Sequence, residues 1–530
     1  MANNGVVGRV FQRKPVEMIH AETGHSELKR SLGALNLILL GIGCIIGTGI
    51  FVLTGHAAAE WAGPGIMISF IITGVLCGLV ALCYAELASA LPVSGSAYSY
   101  SYASTGEIVA WIMGVLLLLE YGLAASTVAV GWSGYFVSLL QDLHLNIPPA
   151  LTAAPGVEVK DVHGVVVAHG IMNLPAILGL IAVSTLLVVG VSESATVNNI
   201  IVFIKLAVVI AFIGIGSQYV NPRLWHPFIP PQVPAPPAGT PNDLLHQLGR
   251  ALWAVLTGDN HARYGLQGVI QGAARIFFAY LGFEAVSTAG AESRNPSKDM
   301  PIGIIGSLVI CTILYILTSG VLVGIVPYAS LDNPAPIAMA VNQIGLKWFA
   351  IAVKVGAIAG LSSVMLVLLY GQTRIFYTMS RDGLLPTALA SVHAKFKTPW
   401  INTIIVGIVA CGAAGFLSLD ALSDLSNVGS LAAFAMVCAT VMYLRYARPE
   451  MNRPFRTPLF PLVPIMGVLM CLLLLLSIMA NHDTRNFFLV YLVVGVVIYF
   501  AYGMWKSKLR QGMVIEGHEA EPMELPHAGD

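Results

Sequence analysis

Charge is what this chain has least of. Of 530 residues, 56% are hydrophobic and only 10% are charged, against about 25% charged residues in soluble domains. That scarcity excludes an ordinary soluble enzyme. The formal net charge is zero, and no basic block or acidic tail occurs, so nothing favours a nucleic-acid partner. Cysteine is sparse: Cys44, Cys77, Cys83, Cys311, Cys411, Cys438 and Cys471 all fall in apolar segments, leaving no loop pair for a disulfide framework. All thirteen histidines fall in loops, tails or span ends, so no buried imidazole relay is expected. Metalloprotease, phosphate-loop and nucleophile-elbow motifs are absent. No cofactor, metal site or enzymatic activity is implied. Residues 1–30 contain no apolar core of a cleavable signal peptide, so the first apolar run is expected to direct insertion.

What the chain has in abundance is apolar runs of about 20 residues, each long enough to cross a hydrocarbon core of about 30 Å. The sequence predicts an all-α polytopic membrane protein with twelve spans: 32–55, 65–90, 107–140, 172–191, 197–218, 264–290, 302–327, 347–379, 400–418, 425–446, 459–480 and 486–505. Lys and Arg set the orientation. Eighteen fall in the segments on the N-terminal side and six on the other, which places both termini in the cytoplasm of a cell-membrane protein. The proline-rich stretch 220–242 is expected to be an extended outer connector. Residues 243–256 carry apolar positions at helical spacing and should lie on the outer surface, and 335–346 should cap the outer vestibule.

Gly41, Gly43, Gly47 and Gly49 interrupt the first span, although each costs about 1 kcal/mol against Ala in a helix interior. Two readings stand: close packing through a GxxxG pair, or a helix broken at mid-membrane that offers backbone groups to a ligand. Span six, five spans later, is interrupted as well, by Gly282, Glu284, Ser287 and Thr288. Matching interruptions five spans apart predict two inverted five-helix units around a central site. The boundaries that follow are 1–30 as a cytoplasmic segment, 31–220 and 264–447 as the two repeats, and 221–263 as an outer connector. Residues 448–506 hold two further helices, and 507–530 a cytoplasmic tail.

Ionisable residues at membrane depth are costly and are functional candidates. Lys205 reads either as a lysine snorkelling to the interface or as an internal ammonium in a cation site. Glu120 reads as a hydrogen-bonded core carboxyl, as a group recognising a cationic substrate, or as a proton carrier. Glu284 stabilises the second break or makes a structural hydrogen bond. Glu86 and Arg374 are placed as gate or loop-clamping residues. For Arg275 and Lys354, snorkelling suffices.

Gly41–Phe51, Tyr84–Tyr100, Leu119-Glu120-Tyr121, Phe277–Thr288 and Ala291–Pro296 together resemble the amino acid–polyamine–organocation transporters, and within them bacterial members of the cationic amino acid transporter family. The likeness covers about residues 28–450. It implies a LeuT-like five-plus-five core with discontinuous helices one and six. The substrate carboxylate would meet the amides of Gly47, Thr48 and Gly49, and its amino group the carbonyls near Ile45, Phe278, Ala279 and Leu281. Lys205 would replace a sodium ion, beside oxygens near Gly43 and the Ser362-Ser363 pair, and Glu120 would approach the substrate side chain. The resulting expectation is a sodium-independent, proton-coupled transporter of cationic or small neutral L-amino acids working by alternating access. An uncoupled exchanger and a polyamine transporter are the rivals. The expected partners are the amino acid, the proton and membrane lipid; nothing specifies a small membrane subunit.

Overall fold

The computed structural model describes residues 11–14, 32–91, 96–160, 165–190, 195–234, 243–258 and 262–509. The segments 1–30 and 507–530 lie outside these except for 11–14 and 507–509, as do residues 92–95.

Apolar composition along the whole length of the helices dictates the architecture. Among the described residues, nine helices are long and apolar enough to cross a membrane. Helix α1 (Ala34–Ile45) stops abruptly, and residues 49–62 carry on in wide turns to a Gly63–Gly65 corner and α2 (Ile66–Ala90). The short α3 (Ser96–Ser104) leads into α4 (Glu107–Asp142), which is followed by α5 (Leu174–Val189) and α6 (Ala195–Gly216). After α7 (Leu244–Thr257) come α8 (Gly265–Ile276), its interrupted continuation to residue 292, and α9 (Pro296–Ile325). The chain then forms α10 (Pro336–Gln343), α11 (Lys347–Arg381), α12 (Trp400–Phe416), α13 (Leu419–Ala447), α14 (Leu462–Met479) and α15 (His482–Ile498).

Helices α1, α5 and α12 have 12, 16 and 17 residues. A helix of that length reaches only about 18–26 Å, so length and composition alone do not make these three into crossings.

Burial separates centre from rim. The most apolar window of Gly265–Gly290 is 94% buried, whereas that of His482–Lys506 is 22% buried and faces outward. The most extensive helix interfaces join α4 to α11 and α13, and α2 and α1 to α9.

The far face, opposite the one where α1 begins, differs from expectation in three places. A two-stranded antiparallel hairpin, β1 (Glu158–Lys160) with β2 (Val166–His169), follows α4, so the chain is not wholly α-helical. Consecutive β-branched valines at 165–167 suit a strand better than a helix. The described part of the proline-rich connector, residues 220–234, is packed rather than free, with Trp225 Nε1 donating to Gly320 O at 3.1 Å and Val233 bridging to Arg263. Helix α10 is buried, unlike α7, which turns Leu244, Leu245, Trp253 and Leu256 outward.

On the near face, residues 11–14 thread into the bundle. Lys14 N–H donates to Tyr102 O at 3.2 Å, and Gln12 O accepts from Glu107 N–H at 3.0 Å. Buried Lys14 Nζ lies 3.0 Å from Asp382, just past α11. Tyr98 Oη donates to the same carboxylate at 2.7 Å, and Lys508 N–H to Asp382 O at 3.0 Å. Elsewhere on this face Glu86 of α2 holds Arg445 at 3.0 and 2.7 Å, Thr457 N–H at 2.8 Å and Arg453 at 3.3 Å.

Candidate functional site

Backbone polar groups at membrane depth must be satisfied within the protein, so each helix break is legible by who satisfies it. Helix α1 ends because Ile46 turns to an extended conformation (φ −72°, ψ 95°). That frees the last carbonyls of the helix. Lys205 Nζ, on α6, donates to Gly43 O at 2.5 Å and to Ile46 O at 3.2 Å. The lysine is fully buried and points inward, so it does not snorkel. Gly360 of α11 leaves room for its stem, since a Cβ there would sit 3.1 Å from Lys205 Cδ.

The second break follows α8 and the turn Phe277–Tyr280. Leu281 is extended and Gly282 has φ +116°, a conformation that favours glycine. The carboxylate of Glu284 accepts the Gly282 N–H at 3.1 and 2.9 Å.

The two breaks lie against each other. A Cβ on Gly49 would fall 2.2 Å from Ala279 Cα, and one on Gly282 would fall 2.8 Å from the Cys44 backbone. Tyr315 of α9 bolts them together, its hydroxyl lying 2.7 Å from Ile45 O and 2.8 Å from Ala279 O.

Between the breaks is a small cavity of about 20 Å³, little more than one water needs. Cys44, Ile45, Gly47, Thr48 and Gly49 line it from the first break, Phe278 and Leu281 from the second. Ala124 and Val128 of α4 and Val364 and Leu368 of α11 close it. No charged side chain is in the lining. Gly47–Gly49 start a new helical stretch, whose first N–H groups have no intrahelical acceptor.

Of the residues singled out from sequence, Ile45, Gly47, Thr48, Gly49, Phe278 and Leu281 meet at this cavity. Ala279 packs behind it on Gly49. Glu120 is not in the lining: it sits one turn from Ala124 on α4, 2% exposed, and neither carboxylate oxygen has a hydrogen-bond partner among the described residues. Ser362 Oγ donates to Ile358 O at 2.8 Å and accepts from Trp132 Nε1 at 3.0 Å, while Ser363 is buried. Arg374 is exposed, its guanidinium 4.7 Å from the Tyr370 ring centre and away from the cavity.

The snorkelling expectation fails for two cations. Lys354 Nζ is buried 2.5 Å from Asp142, and Arg275, its guanidinium over the Trp61 ring, pairs with Asp424 at 2.8 Å. Their partners lie too far along the chain for spacing to reveal them.

Sequence reasoning also missed Tyr315 and four aliphatic wall residues, Val128, Val364, Leu368 and Ala124. It missed His56 as well, which bridges two carboxylates on the far face.

Two interrupted helices back to back around a small cavity, inside a bundle of long apolar helices, belong to a multi-pass membrane permease. The sequence profile of the family "Amino acid permease" matches residues 32–499. The chain is a member of that family, within the amino acid–polyamine–organocation superfamily. It is 44% identical to the methylthioribose transporter of Bacillus subtilis (strain 168), over 95% of this chain and 99% of the relative. The branched-chain amino acid permease BcaP of the same organism is 43% identical, over 95% and 100%. The vacuolar cationic amino acid transporter 4 of Arabidopsis thaliana is 35% identical, over 83% and 68%.

Proposed function

We propose that this protein imports neutral, aliphatic L-amino acids by alternating access, independently of sodium and driven by protons. One observation carries the substrate class. The cavity is small, its side-chain walls are Val128, Val364, Leu368 and Leu281, and it contains no charged group. An aliphatic side chain buried there gains about 0.8 kcal/mol per CH₂, whereas a guanidinium would be desolvated without a partner. The zwitterionic end has matching groups nearby: the amides at Gly47–Gly49 for the carboxylate, and the carbonyls of Ile45 and Ala279 for the ammonium. The Tyr315 hydroxyl has one proton for those two carbonyls, so one of them keeps acceptor capacity.

In this reading the chain crosses twelve times with both termini in the cytoplasm, as its Lys and Arg distribution favours. Helices α1 to α6 and α8 to α13 supply the two inverted units, apart from the short α3 and α10. Lys205 occupies the place of a coupling cation. A ribose ligand, suggested by one relative, would need polar side chains that the walls supply only at Thr48 and Cys44.

A thermal-stability screen of the purified protein over amino acids, polyamines and methylthioribose tests this reading, because specific binding raises apparent stability. Leucine, isoleucine or valine should stabilise most, and stabilisation by arginine or methylthioribose alone would overturn the assignment. Val364→Phe places a ring in the cavity and should weaken leucine binding by about tenfold or more, with alanine affected less; calorimetric titration of the variant measures both.

A second reading, cationic substrates, has one observation in its favour: Glu120 lies a turn from the wall with no partner of its own. If it receives a cationic side chain, Glu120→Gln should lower arginine counterflow by about tenfold and leave leucine within about twofold. Because neither carboxylate oxygen has a hydrogen-bond partner among the described residues, the variant's melting temperature should hold or rise.

A further inference from the structure

We propose that His56 is a proton-binding site facing the outer solution, and that the proton it binds holds the outer side of the cavity shut. The inference rests on the transporter reading above and on its orientation.

His56 lies on the outer half of the first broken helix, seven residues beyond Gly49. Its Nδ1 is 2.9 Å from Asp332 Oδ1, on the loop after α9, and its Nε2 is 2.8 Å from Asp420 Oδ1, in the first turn of α13. One imidazole therefore joins three separate parts of the outer face.

Donor stoichiometry decides the protonation state. A neutral imidazole has one N–H and one lone pair, whereas the imidazolium has two N–H groups. Two carboxylate oxygens at these distances need two donors. With a neutral ring, one lone pair would face a carboxylate oxygen across less than 3 Å, and that contact would open. The closed arrangement is thus the one that holds the extra proton.

The surrounding charges amplify the effect. On α13, Asp424 is already committed to Arg275 of α8, whose guanidinium lies over Trp61. On the helix of His56 itself, Glu60 is committed to Arg263 at 2.8 Å. Helix α10 brings no charged residue, and the loop after α9 brings only Asp332 and the phenol of Tyr328. Without its proton, His56 would set a neutral ring with one lone pair between Asp332 and Asp420.

Both outer half-helices are therefore tied to the same support. His56 ties the first, and Arg275 the second, to α13. Of the two ties, the imidazole gives up its proton at a lower pH than the guanidinium does. The site is within reach of solvent, since the side chains of Asp332 and Asp420 are 40% and 52% exposed and that of His56 is 18% exposed.

Cys44 is a natural reporter, because it lines the cavity and is a free thiol. The experiment uses right-side-out membrane vesicles containing the full chain and a small, membrane-impermeant methanethiosulfonate reagent outside. A Cys44→Ser variant supplies the background from the other six cysteines. Comparing wild type with His56→Gln at each pH cancels the pH dependence of the thiol itself. At about pH 6, His56→Gln should label about tenfold faster than wild type, and the two rates should converge only at about pH 11, because the two flanking carboxylates hold the proton well beyond the ordinary imidazole range. Asp420→Asn leaves the imidazole a single carboxylate to serve, and should by itself flatten the pH dependence of labelling relative to wild type. A ratio of wild type to His56→Gln that stays constant between the two pH values overturns the proposal, because packing alone would produce that. If His56→Gln fails to fold, a wild-type pH dependence that survives in Asp420→Asn overturns it equally. Leucine counterflow by the wild type is read separately. Its absence together with a pH-dependent ratio would overturn the substrate reading and leave the gate in place.

Discussion

Lys205→Ala should abolish proton-driven accumulation of substrate in liposomes and lower the thermal stability of the protein. The ammonium is the partner of two carbonyls, Gly43 O and Ile46 O, at the broken end of α1. A helix C-terminus carries partial negative charge, which a cation offsets. Removing the side chain leaves both carbonyls buried without their donor, at about 1–3 kcal/mol each, and opens a void costing about 2–5 kcal/mol more. Lys205→Met separates these effects. It restores most of the volume but not the charge, so it should recover part of the stability and none of the accumulation. Uptake driven by an inward pH gradient, measured beside a melting curve for each variant, checks both. Accumulation by Lys205→Met equal to wild type would remove Lys205 from the coupling mechanism.

Gly49→Ala should be as damaging although it adds a single methyl. That carbon would lie 2.2 Å from Ala279 Cα, 2.3 Å from Ala279 Cβ and 3.0 Å from Ala279 N. Carbon atoms in contact settle at about 3.5–4.0 Å, so the two breaks would have to part by more than about 1 Å. Backbone faces backbone here, and no flexible side chain can swing away. Separation would pull Ile45 O and Ala279 O off the Tyr315 hydroxyl that spans them. The expected result is a severe loss of folded protein and no ligand-induced stabilisation. Gly47→Ala is the matched control. Its methyl would meet Val364 Cγ1 at 3.5 Å, an ordinary contact, so it should fold and only narrow the cavity. Folded yield and stabilisation by leucine, compared across the pair, test the close approach directly.

Both positions were visible in the sequence, and the reason is the same for each. Glycines grouped within an apolar run, and a lysine inside another, break the rules for a simple membrane span. Breaches of that kind locate function. The cavity walls broke no rule. Val128, Val364 and Leu368 are aliphatic residues in aliphatic helices, indistinguishable by composition from neighbours that face lipid. Only the three-dimensional arrangement picks them out. The unexpected ion pairs failed for a different reason: Arg275 and Asp424 are 149 positions apart, and Lys354 and Asp142 are 212 apart, beyond the reach of helical spacing.

His56 was lost to a boundary. Counting a span of ordinary length from residue 32 ends at residue 55. The break instead inserts non-helical residues, and helical turns carry on to Ala62. The histidine therefore sits inside the outer half-helix rather than in a loop. Glu120 shows the opposite limit. The sequence located it as a buried carboxylate, but on one helix a single turn separates a wall residue from its neighbour, and that is finer than any span boundary drawn from hydropathy.

The near-face contact between Lys14 and Asp382 bears on how the molecule is completed. Chains are made from the N-terminus, so Lys14 leaves the ribosome 368 residues before its partner. Lys508, whose N–H closes the other side of Asp382, comes later still. Residues 12 and 14 meet backbone partners at Tyr102 and Glu107 early in synthesis, but the carboxylate that receives the Lys14 ammonium arrives only with the end of α11. Removing either segment breaks a contact to Asp382, one at its carboxylate and one at its backbone carbonyl, so residues 14 and 508 together mark the finished assembly.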